Sequence, residues 1–336
     1  MKAFAWSFFA AFCFAVFCAP PLLAAELVLK YANMFPPTHI QSKMAESWSK
    51  AVEEATQGRV KIEYYPGGTL LKGKQMFDGV VDGIADIGLA AAAYTAGRFP
   101  LTSLFDLPLG YPSGVAATKA VNEVYAEMKG QDFKDAELMY LHAHGPGFLT
   151  TNGREVRTLA DMHGLRIRST GVSAEMVKAL GGTPVAMEMG ESYESLQRGV
   201  VDGSVHPVES NLGWKLGEML KTMTRCYPVA YTTTFFVVMN KDKWAQISPE
   251  DQQAIRRINE QWLVKHGEAW DKSDAVALED LKKHKVTIID LSPEENAAWA
   301  AAVAPVIDTY AKNIRQKGID GPAVVAAIRK SLASAQ

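Results

Sequence analysis

Cysteine is scarce: three residues in a chain of 336, too few for a disulfide framework. Two of them, Cys13 and Cys18, fall in an apolar N-terminal run. Cys226 is then alone and reads as a core residue rather than a nucleophile. Charge of one sign is missing too, since 35 Lys+Arg against 37 Asp+Glu leave a formal net charge of −2. That balance excludes the basic field expected of a nucleic-acid binder. Gly at 26 and Pro at 16 positions are ordinary usage, which excludes a collagen-like or linker-dominated chain. Past the N-terminal run, no apolar stretch approaches the ~20 residues that span a bilayer. Catalytic signatures are also absent: no Gly-x-Ser-x-Gly elbow, Walker loop, dinucleotide glycine fingerprint or His-Glu-x-x-His. His142 and His144 alternate along a strand and share a face, but no third ligand neighbours them, so neither a metal nor another cofactor is expected.

What is present begins with a targeting signal. Met1-Lys2, the apolar run Ala3–Cys18 and the small residues ending at Ala25 read as a secretory signal peptide over 1–25. Its removal leaves 311 residues (336 − 25) with 48% hydrophobic composition across the full chain, enough for about two lobes at ~150 residues per domain. The mature chain is expected to be exported.

An internal echo organises the rest. Gly79-Val80-Val81-Asp82-Gly83 precedes the apolar run Ile87–Ala90, and Gly199-Val200-Val201-Asp202-Gly203 precedes Ser204-Val205-His206, so the two Asp-Gly pairs lie 120 residues apart (202 − 82). Gly83 and Gly203 are each expected to end a helix in the left-handed conformation. Strands are expected at Leu27–Ala32, Val60–Tyr65, Leu138–His142, Arg166–Ser169 and Thr232–Asn240. Thr38 is the expected cap of a helix over Ile40–Thr56. Ser248-Pro249-Glu250 and Ser292-Pro293-Glu294 open two further helices, the first running to about Lys283 and long enough to bridge two lobes. Trp48 and Trp214 read as helix-packing residues. The pattern predicts an α/β protein of two lobes with a ligand crevice between them.

Several stretches resemble the periplasmic solute-binding proteins of TRAP transporters, DctP type. They are Arg59–Ile62 with Tyr65-Pro66-Gly67-Gly68, Asp82–Ile87, Leu159–Arg168, Leu180–Val185, Val201-Asp202-Gly203, Phe236–Asn240 and Trp244. The resemblance implies a type II periplasmic-binding-protein fold with a hinge and a long bridging helix. It also implies capture of a small organic anion, carboxylate or sulfonate, by a monomer that docks on TRAP membrane subunits. Lobe I would hold 26–147 and 233–272, and lobe II 148–232 and 273–336, with hinges near Phe148 and Thr232–Thr234.

Carried over residue by residue, Arg168 is the arginine that grips the ligand carboxylate, and its planar fork suits that bidentate task. His206 takes a polar contact position, and Met189 sits on the pocket wall. Tyr94, at the end of a strand, offers a hydroxyl and a ring. Phe148 and Phe235 are wall candidates, and Asn33 ends the first strand toward the crevice. Arg166 either faces ligand with Arg168 or forms an ion pair. Ala91, Tyr94 and Phe148 fall where sialic-acid binders of this family carry charged residues, which argues for a smaller or more apolar anion, with C4-dicarboxylates, hydroxy, keto and aromatic acids as candidates. The competing readings are an ABC-type importer's binding protein and a secreted metal-dependent enzyme built on His142 and His144.

Overall fold

The computed structural model describes residues 26–334. The expected signal peptide, with Cys13 and Cys18, lies outside the described residues. Two mixed sheets form the frame. The first is ordered β2-β1-β3-β10-β4, from β1 (Leu27–Asn33), β2 (Val60–Tyr65), β3 (Ile87–Ala91), β4 (Glu137–Ala143) and β10 (Thr234–Met239). The second is ordered β11-β9-β5-β8-β6-β7, from β5 (Gly147–Thr151), β6 (Arg166–Ser169), β7 (Thr183–Ala186), β8 (Gly203–Pro207), β9 (Thr222–Arg225) and β11 (Thr287–Asp290). Each sheet has a parallel trio with one antiparallel strand inserted beside it: β10 against β3, and β5 against β8. The inserted strand reaches each sheet just after the chain crosses from the other lobe.

Helices cover the sheets: α1 (Ile40–Ala55), α2 (Met76–Val81), α3 (Gly114–Glu127), α4 (Val172–Ala179), α5 (Ser192–Gln197), α6 (Ser210–Gly213), α7 (Lys241–Gln246), α8 (Pro249–Lys283), α9 (Pro293–Asn313) and α10 (Gly321–Ala333). Ser248 and Ser292 cap α8 and α9 with their hydroxyls, and Pro249 and Pro293 occupy the first helical position, where the missing N–H costs nothing. For α1 the cap is His39, not the expected Thr38: its Nδ1 accepts the Gln41 N–H. Helix α8 runs for 35 residues, roughly 50 Å. It packs on α1, α3 and β4, then on α6, so it spans both lobes. The C-terminal α10 packs on α3 as well as on α9, so this part of the tail assigned to lobe II rests on the first lobe's helical layer.

The repeat is real in three dimensions, but in a different register. Gly83 is left-handed (φ 76°) and ends α2, whereas the residue that ends α5 in the same way is Gly199 (φ 66°). The equivalent aspartates are therefore Asp86 and Asp202, 116 residues apart (202 − 86). Asp86 accepts the Lys30 N–H in the middle of β1 and Asp202 the Arg166 N–H at the start of β6, each tying its carboxylate to a neighbouring strand. Gly203 has a different reason to be glycine: a Cβ there would sit 2.3 Å from the Thr150 carbonyl of β5, a contact no side chain tolerates.

At the crossing between lobes, the Gly147 N–H donates to the Tyr231 carbonyl at 2.8 Å and Thr232 Oγ1 to the His144 carbonyl at 2.6 Å. A Cβ on Gly147 would meet the Tyr231 ring at 2.3 Å. The two connecting strands thus lie against one another at the base of the cleft.

Candidate functional site

A small cavity lies between the lobes, lined by residues from both. Its polar anchor is Arg168, the third residue of β6, whose neighbours across the strands are Val185 and Ser204. The residue is 2% exposed. Both Nε and Nη2 donate to the Met187 carbonyl, at 3.2 and 3.0 Å. This fixes the plane of the guanidinium while leaving three of its five N–H groups uncommitted to that carbonyl. Among the described residues no carboxylate forms an ion pair with it. A buried cation without a counter-charge is costly, and an anionic ligand in this cavity would supply one.

The opposite walls are aromatic. Phe235 stacks on Trp270 (5.5 Å between centroids, 26°), and Phe35 packs on Phe235 at 5.3 Å and on Trp214 at 6.0 Å. Behind Phe235 and Trp270 lies His142, stacked on His266 at 4.3 Å and accepting the Trp270 Nε1–H at its Nδ1 (3.1 Å). His142 is therefore core scaffolding, and among the described residues no cluster of three His, Cys, Asp or Glu is placed to hold a metal. Cys226 is buried, and burial pushes its thiol up to about 11, which keeps it protonated and unreactive.

Tyr94 and Met189 face each other across the cleft: the Met189 N–H donates to the Tyr94 hydroxyl at 3.0 Å. Burial raises the tyrosine's pKa, so its O–H proton stays available to a ligand. Further links cross the same gap. Glu188 accepts the Gly73 and Lys74 N–H groups (3.2 and 2.9 Å), and Thr170 Oγ1 reaches the Ala93 carbonyl at 3.4 Å. The lobes are closed on one another in this structure.

Of the seven candidates, Arg168, Tyr94, Met189 and Phe235 line the cavity together. Three do not. His206 is buried behind the wall, with Nδ1 2.9 Å from Ser204 Oγ and Nε2 3.2 Å from Thr150 Oγ1. Burial first, then the Arg168 charge, pushes its pKa down to about 3, so it is a neutral support. Phe148 points into the lobe II core beside Met223, Ala277 and Leu281, with Tyr227 edge-on at 5.0 Å. Asn33 lies under the loop after β1, where its Oδ1 accepts the Phe35 N–H at 2.9 Å and its Nδ2 donates to the Tyr64 hydroxyl at 2.8 Å. It positions Phe35 instead of lining the cavity. Arg166 forms a fork with Asp202 (2.7 and 3.0 Å) and does not line the cavity.

Sequence reasoning missed most of the aromatic wall. Trp214, read as a packing residue, lines the cavity, as do Phe35, Tyr231 and Trp270. Trp48, by contrast, does pack between helices, donating to Asn259 of α8 at 2.9 Å. Phe35 carried a usable signal, since it follows the end of a strand as Tyr94 does. Trp270 carried none: it lies inside α8, and only the crossing of that helix brings it to the cleft. His144 also lines the cavity, with Nδ1–H donating to the Gly145 carbonyl at 2.6 Å. Its pKa is driven down to about 4 by burial, which leaves it neutral.

The family model described as DctP, bacterial extracellular solute-binding protein, family 7, matches residues 31–313. Among solved structures, a marine metagenome TRAP solute-binding protein specific for aromatic acid ligands, determined with metahydroxyphenylacetate, superposes with a TM-score of 0.87 at 30% identity, covering 92% of this chain and 99% of that one. A TRAP periplasmic solute-binding protein from Bordetella bronchiseptica with bound mandelate gives 0.86 at 30% identity, covering 93% of this chain and 100% of that one. The C4-dicarboxylate-binding periplasmic protein DctP of Rhodobacter capsulatus is 27% identical over 328 residues, 93% of each chain.

Proposed function

Given that the chain belongs to the DctP family of bacterial extracellular solute-binding proteins, the binding components of TRAP transporters, we propose that its interlobe cleft captures a small aromatic monocarboxylate. The observation that carries the reading is Arg168, buried and in no ion pair among the described residues, in a cavity whose wall includes Phe35, Trp214, Phe235 and Trp270. The guanidinium would take the carboxylate through its free N–H groups, and the Tyr94 hydroxyl would donate to the same anion. Phe235, Met189 and the other rings would enclose the body of the ligand, which buries apolar surface at about 25 cal/mol per Å². His206 and Asn33 serve as supports for the wall, and Phe148 as core.

The family consists of solute-binding proteins rather than enzymes, and we infer that this chain carries no catalytic step of its own. Its work is to deliver a small organic acid to TRAP membrane subunits. We place it in the periplasm after removal of residues 1–25, as a monomer with 26–147 plus 233–272 in one lobe. The second lobe would be 148–232 with the following segment, whose α10 returns to the first.

Calorimetric titration of the mature protein tests the substrate class. Benzoate and mandelate should bind at least ~10-fold more tightly than succinate, because a C4 chain leaves much of the aromatic surface uncovered. Tighter binding of succinate than of either aromatic acid would reject the reading.

A further inference from the structure

One feature of the cavity is at odds with a simple anion trap. Glu209, a buried carboxylate 2% exposed, lines the same space as Arg168. Among the described residues no ion pair joins the two. Glu209 is instead held from both sides of the cleft. Its Oε1 accepts the Ser210 hydroxyl at 2.8 Å, and its backbone N–H donates to Asp274 Oδ1 at 2.7 Å. From the other lobe, His39 Nε2 lies 3.1 Å from Oε2 in a bent electrostatic contact.

The imidazole tautomer follows from the helix cap. His39 Nδ1 accepts the Gln41 N–H, so the proton is on Nε2, beside the carboxylate but with no hydrogen bond to it. Backbone room for the pair comes from Gly213, where a Cβ would stand 2.5 Å from Glu209 Oε2 and 2.8 Å from the His39 ring. The chain therefore accommodates a fixed carboxylate in a cavity that must accept an acid. The single hydroxyl donor, Ser210, leaves most of its four lone pairs unfilled.

We propose that Glu209, steadied by His39 and Ser210, is the specificity determinant of this cleft: it selects aromatic acids that carry a ring hydroxyl and turns away a second carboxylate. The inference rests on the aromatic-monocarboxylate reading above. A ligand hydroxyl would donate to Glu209 in a charge-assisted hydrogen bond while the ligand carboxylate meets Arg168. A second carboxylate in that place would face a like charge in a dry cavity and leave two acceptors opposed. An unsubstituted ring would leave the desolvated Glu209 oxygen unfilled.

Three ligand shapes on one ring separate these cases: benzoate, the tighter of 3- and 4-hydroxybenzoate, and the tighter of isophthalate and terephthalate, titrated calorimetrically into the mature protein. The hydroxylated acid should bind roughly 10- to 100-fold more tightly than benzoate, and the diacid more weakly than benzoate. Glu209→Gln should shrink the hydroxyl preference and lift the diacid toward benzoate, a change in ratio that a merely structural role would not produce. If benzoate and the hydroxylated acids bind alike in the natural sequence, the role of Glu209 is overturned while the aromatic reading stands. If no aromatic acid binds, both fall. The natural-sequence ratios decide the matter even should the variant fail to fold.

Discussion

Arg166 and Arg168 stand two residues apart on β6, and their surroundings differ completely. The first has a side chain 46% exposed and held in both prongs by Asp202. The second is 2% exposed and donates to a backbone carbonyl. One strand runs from the outer rim of lobe II to the cleft, so the same residue type meets water and a paired carboxylate at one end, and an enclosed cavity at the other. A paired, exposed arginine is a structural clamp of small energy. A buried one lacking a counter-charge is destabilising until something anionic arrives, and that asymmetry is what the proposed role of the second rests on.

The contrast can be broken most sharply at Arg168. Arg168→Ala should lower affinity for an aromatic acid more than ~100-fold while leaving the ligand-free melting temperature unchanged or raised, since an uncompensated charge is removed. Arg168→Lys should recover only part of the affinity, because an ammonium cannot form the planar pair. Calorimetry and thermal melts of the same preparations report both quantities; undiminished affinity in a folded Arg168→Ala protein would remove the anion anchor.

A selectivity effect of roughly 10- to 100-fold between hydroxylated and unsubstituted aromatic acids is expected at Glu209. The pH response comes next. His206, His144 and His266 have pKa values pushed down to about 3, 4 and 3, each mainly by burial, against ~6.5 unfolded. The unfolded chain binds more protons between those values, so this contribution to stability is intact above pH ~6.5 and declines as pH falls toward 4. Melting temperature of the ligand-free protein should drop over that window. The decline should be shallower in Arg168→Ala, whose loss removes the second cause of the His206 shift, and unchanged in Arg166→Ala. Identical slopes in all three proteins would show that Arg168 exerts no field on these rings.

The smallest effect belongs to the clamp itself. Arg166→Ala should cost a melting-temperature shift on the order of one degree, with ligand affinity unaltered. A loss of affinity comparable to that of Arg168→Ala would abolish the distinction between the two arginines.

The two lobes offer a second contrast. Asp86 and Asp202 perform one task in both, each accepting a backbone N–H of an adjacent strand, yet the sequence echo pairs Asp82 with Asp202. The repeated Val-Val-Asp-Gly letters hide different duties. Gly83 turns the chain left-handed, whereas Gly203 is the close-approach position against β5. Identity of residues was legible; the register was not, because it is set by which backbone groups meet across strands.

What the linear chain determined by itself is what local chemistry can carry: strands from β-branched runs, helix starts from Ser-Pro-Glu and a two-lobe α/β plan from the echo, with Arg168 singled out through the family resemblance as the proposed anion anchor. Tyr94, Met189 and Phe235 were also within reach, since they sit at or beside the ends of elements facing the crevice. The tertiary structure alone decided the rest. Trp270 comes to the cavity by the path of a 35-residue helix, Glu209 meets His39 from the opposite side of the cleft, and Phe148 turns into the core because of the face its strand presents to lobe II. Each of those outcomes depends on contacts between residues remote in sequence, whose energies no local pattern encodes.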